Sequence, residues 1–184
     1  IDGMHNNDPR IVDKTYPIAE ISFNEASELA YFGAKILHPS SILPVLQYNV
    51  PVQLKNTMEP QAPGTTISSE EKTKQVKAIA AKDGITAIKI KSTRMLLAYG
   101  FLRKIFEVFE KYRTPIDMIT TSEVAVSLTI DTDSHLDEIV KELEDFGDVM
   151  IDRNQTIICI VGNQIAEQMG LVKNIFDAMD PIPV

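Results

Sequence analysis

The chain has 184 residues, of which 44% are hydrophobic and 24% are charged, and its formal net charge is −8. This composition is that of a soluble globular protein with room for one medium or two small domains. The negative charge argues against nucleic-acid and anionic membrane partners, because both require a basic surface. No apolar run approaches the roughly 20 residues of a membrane helix. The single Cys159, in an apolar strand, favours a reducing cytoplasm.

The first third of the chain predicts two helices and a strand. Ser22 and Glu25 are spaced as a capping box, which predicts a helix over residues 23–32. Pro39 is placed to open a second helix, because proline suits the first helical position. Residues 51–56 then alternate between apolar and polar side chains, which predicts a strand.

A polar segment follows this strand. Residues 58–75 begin with a proline-rich loop and end in the run Ser-Ser-Glu-Glu-Lys-Thr-Lys-Gln, so we interpret them as a linker between domains. Residues 76–81 and 85–91 predict two further strands, separated by the turn signal Asp83-Gly84.

The stretch from Gly100 onward carries the clearest pattern. An amphipathic helix is predicted after Gly100, and Pro115 is expected to end it. The apolar stripe of this helix consists of Phe101, Ile105, Val108, Phe109 and Tyr112. Residues 116–121 and 124–130 then predict two strands. Ser134 is placed to cap a further helix, which a short strand at residues 149–152 follows. The predicted order is therefore β-α-β-β-α-β, which is ferredoxin-like.

Part of this pattern recurs later in the chain at a fixed offset. Residues 86–90 match residues 156–160 in character, and Gly100, Ile105 and Phe106 recur as Gly170, Ile175 and Phe176. Because a predicted strand and a predicted helix both recur at the same offset, the pattern indicates an internal repeat. The second copy shows only its opening strand and helix, and the chain lacks an initiator methionine. We therefore expect it to be truncated at both ends.

Four segments, in order, carry a family resemblance. They are residues 2–10 (DGMHNNDPR), 32–39 (FGAKILHP), 56–65 (NTMEPQAPGT) and 117–123 (DMITTSE). Together they resemble the motifs of aspartate kinases, and the last resembles the regulatory region of the lysine-sensitive members. The resemblance implies that the intact protein phosphorylates L-aspartate with ATP, as its magnesium complex, to 4-phospho-L-aspartate. This reaction belongs to lysine, threonine and methionine biosynthesis.

The resemblance also implies a fold that combines α/β and α+β parts. Residues 1–57 correspond to the C-terminal part of an amino-acid-kinase domain, an α/β sandwich on a mostly parallel sheet, and residues 58–75 to the linker. Residues 76–154 correspond to a first ACT module of βαββαβ order, and residues 155–184 to the start of a second, incomplete one. In the family these modules bind an end-product amino acid and pair across a homodimer.

For ATP, the resemblance implies that Arg10, Lys35 and His5 bind the nucleotide. Cationic side chains suit this role, because they neutralise the charge of the triphosphate. His5 stands where the family carries tyrosine, and its ring is able to stack on adenine. The family's phosphate-cradling segment and aspartate-binding residues would precede Ile1, so we expect no catalytic residue in this chain and no kinase activity from the chain alone. No metal-ligand cluster is predicted.

The resemblance further implies an effector site between the first helix and the strands of the first ACT module. Its residues would be Met95, Ala98, Phe101, Leu102, Ile116, Asp117, Ser122 and Glu123. Backbone N–H groups after Gly100 suit a carboxylate, and Asp117 suits an ammonium group. L-lysine is the first expected effector. L-threonine is the second, and Ala98 stands where relatives often carry serine.

Other interpretations stay open at this point. Asp117 alone would be interpreted as a solvated carboxylate, and Phe101 and Leu102 as core residues. The chain could also be a non-catalytic, dimerising amino-acid sensor rather than part of an enzyme. The segments at residues 8–10 and 33–35 favour the enzyme, because a sensor has no use for them. A glutamate or uridylate kinase is disfavoured by the attached repeat.

Overall fold

The computed structural model describes residues 2–33, 37–70, 75–95, 98–180 and 182. The chain divides into two compact units, of which the first comprises Ile1–Ala81 and Ile158–Val184, and the second Lys82–Ile157. In chain order the elements are β1 (Glu20–Ser22), α1 (Phe23–Tyr31), α2 (Pro39–Gln47), β2 (Val52–Leu54), β3 (Thr65–Ser68), β4 (Val76–Lys91), α3 (Phe101–Lys111), β5 (Met118–Thr121), β6 (Ala125–Ile130), α4 (Leu136–Leu143), β7 (Asp148–Gly162) and α5 (Leu171–Met179). Among the described residues, no helix is long and apolar enough to cross a membrane.

Helix α1 begins at the capping box that the sequence predicts. The Ser22 hydroxyl accepts the Glu25 backbone N–H at 3.2 Å, and Glu25 Oε2 accepts the Ser22 backbone N–H at 2.8 Å. The helix then packs its apolar face into the core of the first unit. That core includes Met4, Ile21, Phe23, Ala26, Leu29 and Ile67. The predicted second helix also begins at its proline, as α2.

The central strand of the first sheet lies where a linker was predicted. The sheet order is β1-β3-β2, with β3 parallel to β1 and antiparallel to β2. Thr65 in β3 is fully buried, and its hydroxyl donates to the Ile18 carbonyl at 2.6 Å and accepts the Met4 N–H at 2.8 Å. The prediction of a linker over 58–75 is therefore wrong for residues 65–68, because long-range pairing outweighs the local polar composition. The predicted boundaries at 57, 75 and 154 stay predictions.

Gly64 makes the turn into β3, and we expect this position to tolerate no side chain. Its φ is +70°, and a Cβ there would lie 2.2 Å from the Leu54 carbonyl oxygen. Gly64→Ala should lower the free energy of unfolding by about 3 kcal/mol, because a left-handed alanine and a backbone clash both cost energy. Urea unfolding followed by circular dichroism measures this loss.

Gly84→Ala is the matched control for that substitution. Gly84 has a similar φ of +74°, but nothing lies within 4 Å of its Cβ position. Its alanine variant should therefore lose only about 1 kcal/mol, from the backbone conformation alone. Equal losses for the two variants would show that the close approach to Leu54 does not matter.

The second unit has the ferredoxin-like order that the sequence predicts. Its four-stranded sheet has the order β5-β6-β4-β7, and β6 is antiparallel to both β4 and β5. Helices α3 and α4 pack on one face of this sheet. The shared core includes Ile88, Ile90, Ile105, Val108, Phe109, Val126, Leu128, Ile139 and Leu143.

Two predicted breaks are absent from the strands of the second unit. Strand β4 runs through Asp83-Gly84 without interruption, because Gly84 adopts its positive φ in open space within the strand. The predicted strands at 149–152 and 156–160 are likewise parts of the single strand β7. Pairing within the sheet therefore outweighs the local turn signals.

The ends of two helices also differ from the prediction. Helix α3 ends at Lys111, ahead of Pro115, and Arg113 follows in the left-handed conformation with a φ of 50°. Ser134 does not cap α4, whose N-cap is His135 and lacks a side-chain hydrogen bond. The Ser134 hydroxyl instead pairs with the Thr132 hydroxyl at 3.0 Å.

The internal repeat is visible in the backbone as well as in the sequence. Gly100 and Gly170 are the N-caps of α3 and α5, and both are left-handed, with φ of +76° and +79°. A short 3-10 helix precedes each glycine, at Thr93–Met95 and at Ile165–Glu167. Each copy therefore continues from a strand through a 3-10 helix to a glycine-capped helix.

Candidate nucleotide and effector sites

The predicted nucleotide-binding residue His5 lies in a loop whose two sides are joined by backbone hydrogen bonds, as in a β-hairpin. The Ile18 N–H donates to the Met4 carbonyl at 2.7 Å, and His5 forms an antiparallel bridge with Pro17. The imidazole Nδ1 lies 2.9 Å from Thr15 Oγ1, and Nε2 lies 2.9 Å from Asp2 Oδ1. Both ring nitrogens are therefore engaged, which fixes the orientation of a ring that is 16% exposed.

Arg10, the second predicted residue, lies at the exposed end of the same loop. Its guanidinium contacts Asp8 with two nitrogens, and the Nη2–Oδ2 distance is 2.6 Å. The hydrogen bonds from Arg10 lower the pKa of the Asp8 carboxyl to about 2. Lys35, the third predicted residue, lies outside the described residues. The nucleotide-binding set therefore stays a prediction.

The Asp8–Arg10 pair should make the stability of the fold depend on pH. Asp8 should titrate with a pKa of about 2 in the folded chain, below the ordinary value of 3.8. A lowered pKa means that the pair stabilises the fold above pH 3.8 and that this contribution is lost as the pH falls towards 2. Carboxyl-detected NMR measures the titration. Arg10→Ala should raise the pKa of Asp8 towards 3.8, whereas Arg103→Ala, another exposed arginine, should not change it.

Asp117 is the most buried polar side chain of the predicted effector set. It directly precedes β5, and its side chain is 3% exposed. Lys82 Nζ, from β4, lies 3.1 Å from Asp117 Oδ1 and 2.9 Å from Asp131 Oδ2. Asp131 directly follows β6. The three groups therefore meet where β5 begins and β6 ends, beside the interior of β4.

Lys82 and Asp131 were not singled out from the sequence. Lys82 is one of several lysines in an alternating strand, and it is far from Asp117 along the chain, so no local signal marks it. Burial lowers the pKa of Lys82, but hydrogen bonds to Asp131 and Asp117 outweigh that effect and raise the pKa above its ordinary value. The ammonium group therefore keeps its charge in this cluster.

Four of the five apolar members of the predicted effector set lie in or against the core, and the fifth, Ala98, is exposed. Phe101 is 9% exposed and packs edge-to-face on Phe146, with their ring centroids 6.1 Å apart. Met95, Leu102 and Ile116 are partly buried against the same cluster. The structure therefore gives these side chains a packing role, whether or not they also contact a ligand.

Ser122 and Glu123 lie in the exposed turn between β5 and β6. The Ser122 N–H donates to the Ala125 carbonyl at 2.9 Å, and the Ser122 hydroxyl accepts the Val124 N–H at 3.4 Å. This turn is at the opposite end of β5 from Asp117. The rise of a strand separates Ser122 from Asp117 by about 16 Å.

A cavity in the second unit brings two of the predicted residues together. Its volume is about 270 Å³, and it is lined by Arg94, Ala98, Tyr99, Phe101, Lys104, Asp145 and Phe146. Ala98 and Phe101 were predicted, and the other five were not. Asp117 does not line it. In the part of the chain that the structure describes, no group of three or more His, Cys, Asp or Glu residues is placed to hold a metal ion.

Comparison with known proteins extends over most of the chain. Residues 1–56 match the amino acid kinase family. The chain is 42% identical over 174 residues to chloroplastic aspartokinase 3 of Arabidopsis thaliana, covering 89% of this chain and 31% of that protein. Aspartokinase III of Escherichia coli, solved in complex with aspartate and ADP, covers 100% of this chain with 32% identity and a TM-score of 0.90. Its complex with lysine and aspartate gives a TM-score of 0.84.

A shorter solved structure also matches part of this chain. It is described as a C-terminal regulatory domain of aspartate kinase from Porphyromonas gingivalis W83, and it is 52% identical with a TM-score of 0.50. The match covers 58% of this chain and 73% of that structure. In contrast, the chain spans only 43% of the E. coli enzyme's solved chain. The predicted resemblance is thus confirmed, and the chain belongs to the aspartate kinase family.

Proposed function

We propose that the whole protein phosphorylates L-aspartate with magnesium-bound ATP to 4-phospho-L-aspartate, and that this chain carries its amino-acid-binding regulatory region. The observation that carries the proposal is the match of the entire chain to the E. coli enzyme solved with aspartate and ADP. The kinase-family match over residues 1–56 favours an enzyme over a non-catalytic amino-acid sensor. A sensor alone would need no part of a kinase domain.

L-lysine is the proposed effector, and L-threonine is the second candidate. The E. coli relative is named lysine-sensitive and has been solved with lysine. In this chain, Asp117 supplies a buried carboxylate and Glu123 an exposed one, and both suit a cationic ligand. The net charge of −8 also favours the approach of a cation.

A homodimer is proposed as the form that completes the effector site. Strand β5 lies at the edge of its sheet, and all four of its residues are exposed and uncharged. Such an edge is suited to pairing with another strand. Within one chain, about 16 Å separates Asp117 from Ser122, which is too far for one amino acid to contact both. Antiparallel pairing of two β5 strands would place Asp117 of one copy near Ser122 of the other.

The nucleotide role of Arg10, His5 and Lys35, and the cytoplasmic location, remain predictions of the same proposal. His5 and Arg10 share one ordered loop, which supports a common site. Magnesium is expected only as part of the ATP substrate, held by phosphate oxygens and by residues of the whole protein.

The test is an assay of the full-length protein with ATP, magnesium and L-aspartate, in which hydroxylamine traps the acyl phosphate. We expect turnover that millimolar L-lysine inhibits. The 184-residue chain, assayed in parallel, should give none. No hydroxamate from the full-length protein would overturn the kinase assignment, and turnover that is insensitive to both lysine and threonine would overturn the regulatory one.

A further inference from the structure

An internal ammonium group already occupies the position at Asp117 that an effector would take. Lys82 Nζ lies 3.1 Å from Asp117 Oδ1, and the Asp117 side chain is only 3% exposed. Because so little of this carboxylate is open to solvent, an external ammonium group reaches it only if Lys82 moves aside. Lys82 itself is 21% exposed, so it borders the solvent through which a ligand would enter.

Lys82 has a second carboxylate within its present reach. Asp131 Oδ2 lies 2.9 Å from the same Nζ, and the Asp131 side chain is 39% exposed. The lysine stem is flexible and its charge is compact, so a small rotation exchanges one partner for the other. Lys82 can therefore leave Asp117 without becoming an unpaired charge, which would be strongly unfavourable in a partly buried site.

We propose that Lys82 is an internal competitor for the effector site: it pairs with Asp117 and Asp131 in the free protein and keeps its pair with Asp131 when the effector's ammonium group binds Asp117. This inference rests on the proposed function, because it takes Asp117 as an effector-binding residue. The exchange replaces one ammonium group by another, so Asp117 is paired in both states. The exchange lowers the affinity for the effector, because part of the binding free energy is needed to break the pair between Lys82 and Asp117.

The same exchange makes the site selective. A ligand that displaces Lys82 but brings no positive charge would leave the buried Asp117 carboxylate without the ammonium group that faced it, which opposes the binding of that ligand. Only a free ammonium group restores the charge balance at Asp117. Lys82 is thus a specificity-determining residue for a ligand that carries a free ammonium group, although it does not itself contact the bound ligand in this proposal.

The experiment is calorimetric titration of the chain and its variants with L-lysine. Lys82→Met keeps the length of the side chain but removes its charge, and it should lower the Kd by about tenfold, a typical coupling between two linked equilibria. Asp131→Asn removes the alternative partner of Lys82 and should raise the Kd by about fivefold. Asp137→Asn is the control for net charge, because its side chain is 96% exposed and lies outside this cluster.

The outcomes separate this inference from the proposed function. If L-lysine binds the wild-type chain and Asp117→Asn weakens that binding by about a hundredfold, unchanged or weaker binding by Lys82→Met overturns the competitor role alone. If Asp117→Asn binds as tightly as wild type, or if the wild-type chain does not bind, the proposed site itself fails. Circular dichroism checks the folding of each variant. If Lys82→Met does not fold, the Kd of Asp131→Asn for L-lysine tests the competitor role instead. A Kd of Asp131→Asn equal to that of Asp137→Asn would overturn the proposal.

Discussion

Replacement of Glu25 by glutamine should lower the free energy of unfolding by about 4 kcal/mol, because it leaves a buried ammonium group without its counter-ion. Glu25 Oε2 accepts the Lys77 ammonium at 2.8 Å, and the two side chains are 6% and 8% exposed. The same oxygen closes the capping box with the Ser22 N–H. Glutamine preserves the shape and can still accept that N–H, so the expected loss comes mainly from the charge of Lys77.

Two further variants isolate this cause. Glu25→Gln combined with Lys77→Met should recover most of the lost stability, because the double substitution leaves neither charge buried alone. Glu59→Gln removes an exposed carboxylate of the same type and should change the free energy of unfolding by less than about 0.5 kcal/mol. Urea unfolding followed by circular dichroism measures all three. A loss in the double variant as large as that in Glu25→Gln alone would argue against the ion pair.

Replacement of Asp117 by asparagine should raise the Kd for L-lysine by about a hundredfold, because it removes a buried charged partner of the ligand's ammonium group. The carboxylate lies at one end of β5 with 3% of its side chain exposed, where water screens the interaction little. Asparagine has nearly the same size and keeps a hydrogen-bonding oxygen. The variant therefore tests the charge rather than the packing.

Two further variants test whether the expected loss of affinity belongs to Asp117 itself. Asp137→Asn removes the same charge from a side chain that is 96% exposed, and it should bind L-lysine as the wild-type chain does. Ser122→Ala, at the far end of β5, should weaken binding by about fivefold, the contribution expected of one neutral hydrogen bond. An effect of Asp117→Asn no larger than that of Asp137→Asn would show that Asp117 is a structural carboxylate.

Much of the fold could be predicted from the sequence, because local signals and long-range packing agree there. The capping box at Ser22 and Glu25 and the apolar stripe of α3 are examples, as are the glycines that precede α3 and α5. The prediction failed where a local signal opposed sheet pairing. Residues 65–68 follow a proline-rich loop yet form the central strand β3, and Gly84 lies within β4 rather than in a turn.

The candidate effector site could be predicted only in part. The segment at residues 117–123 marks Asp117, because its motif is contiguous in the sequence. Lys82 lies in β4 and Asp131 directly follows β6, and both meet Asp117 only when the sheet forms, so no spacing along the chain reveals them. The predicted effector residues also do not form one cluster within a single chain. Asp117 and Ser122 lie at opposite ends of β5 because a strand is extended, a consequence that a motif alone does not display.

Calorimetric titration of the wild-type chain with L-lysine, and separately with L-threonine, measures whether this chain binds an effector amino acid and which one. We expect saturable heat with L-lysine at one site per chain, and a much weaker response to L-threonine. Heat with L-threonine alone would contradict the assignment of the effector while leaving the family unchanged. The absence of binding by either amino acid would contradict the claim that this chain carries an effector site.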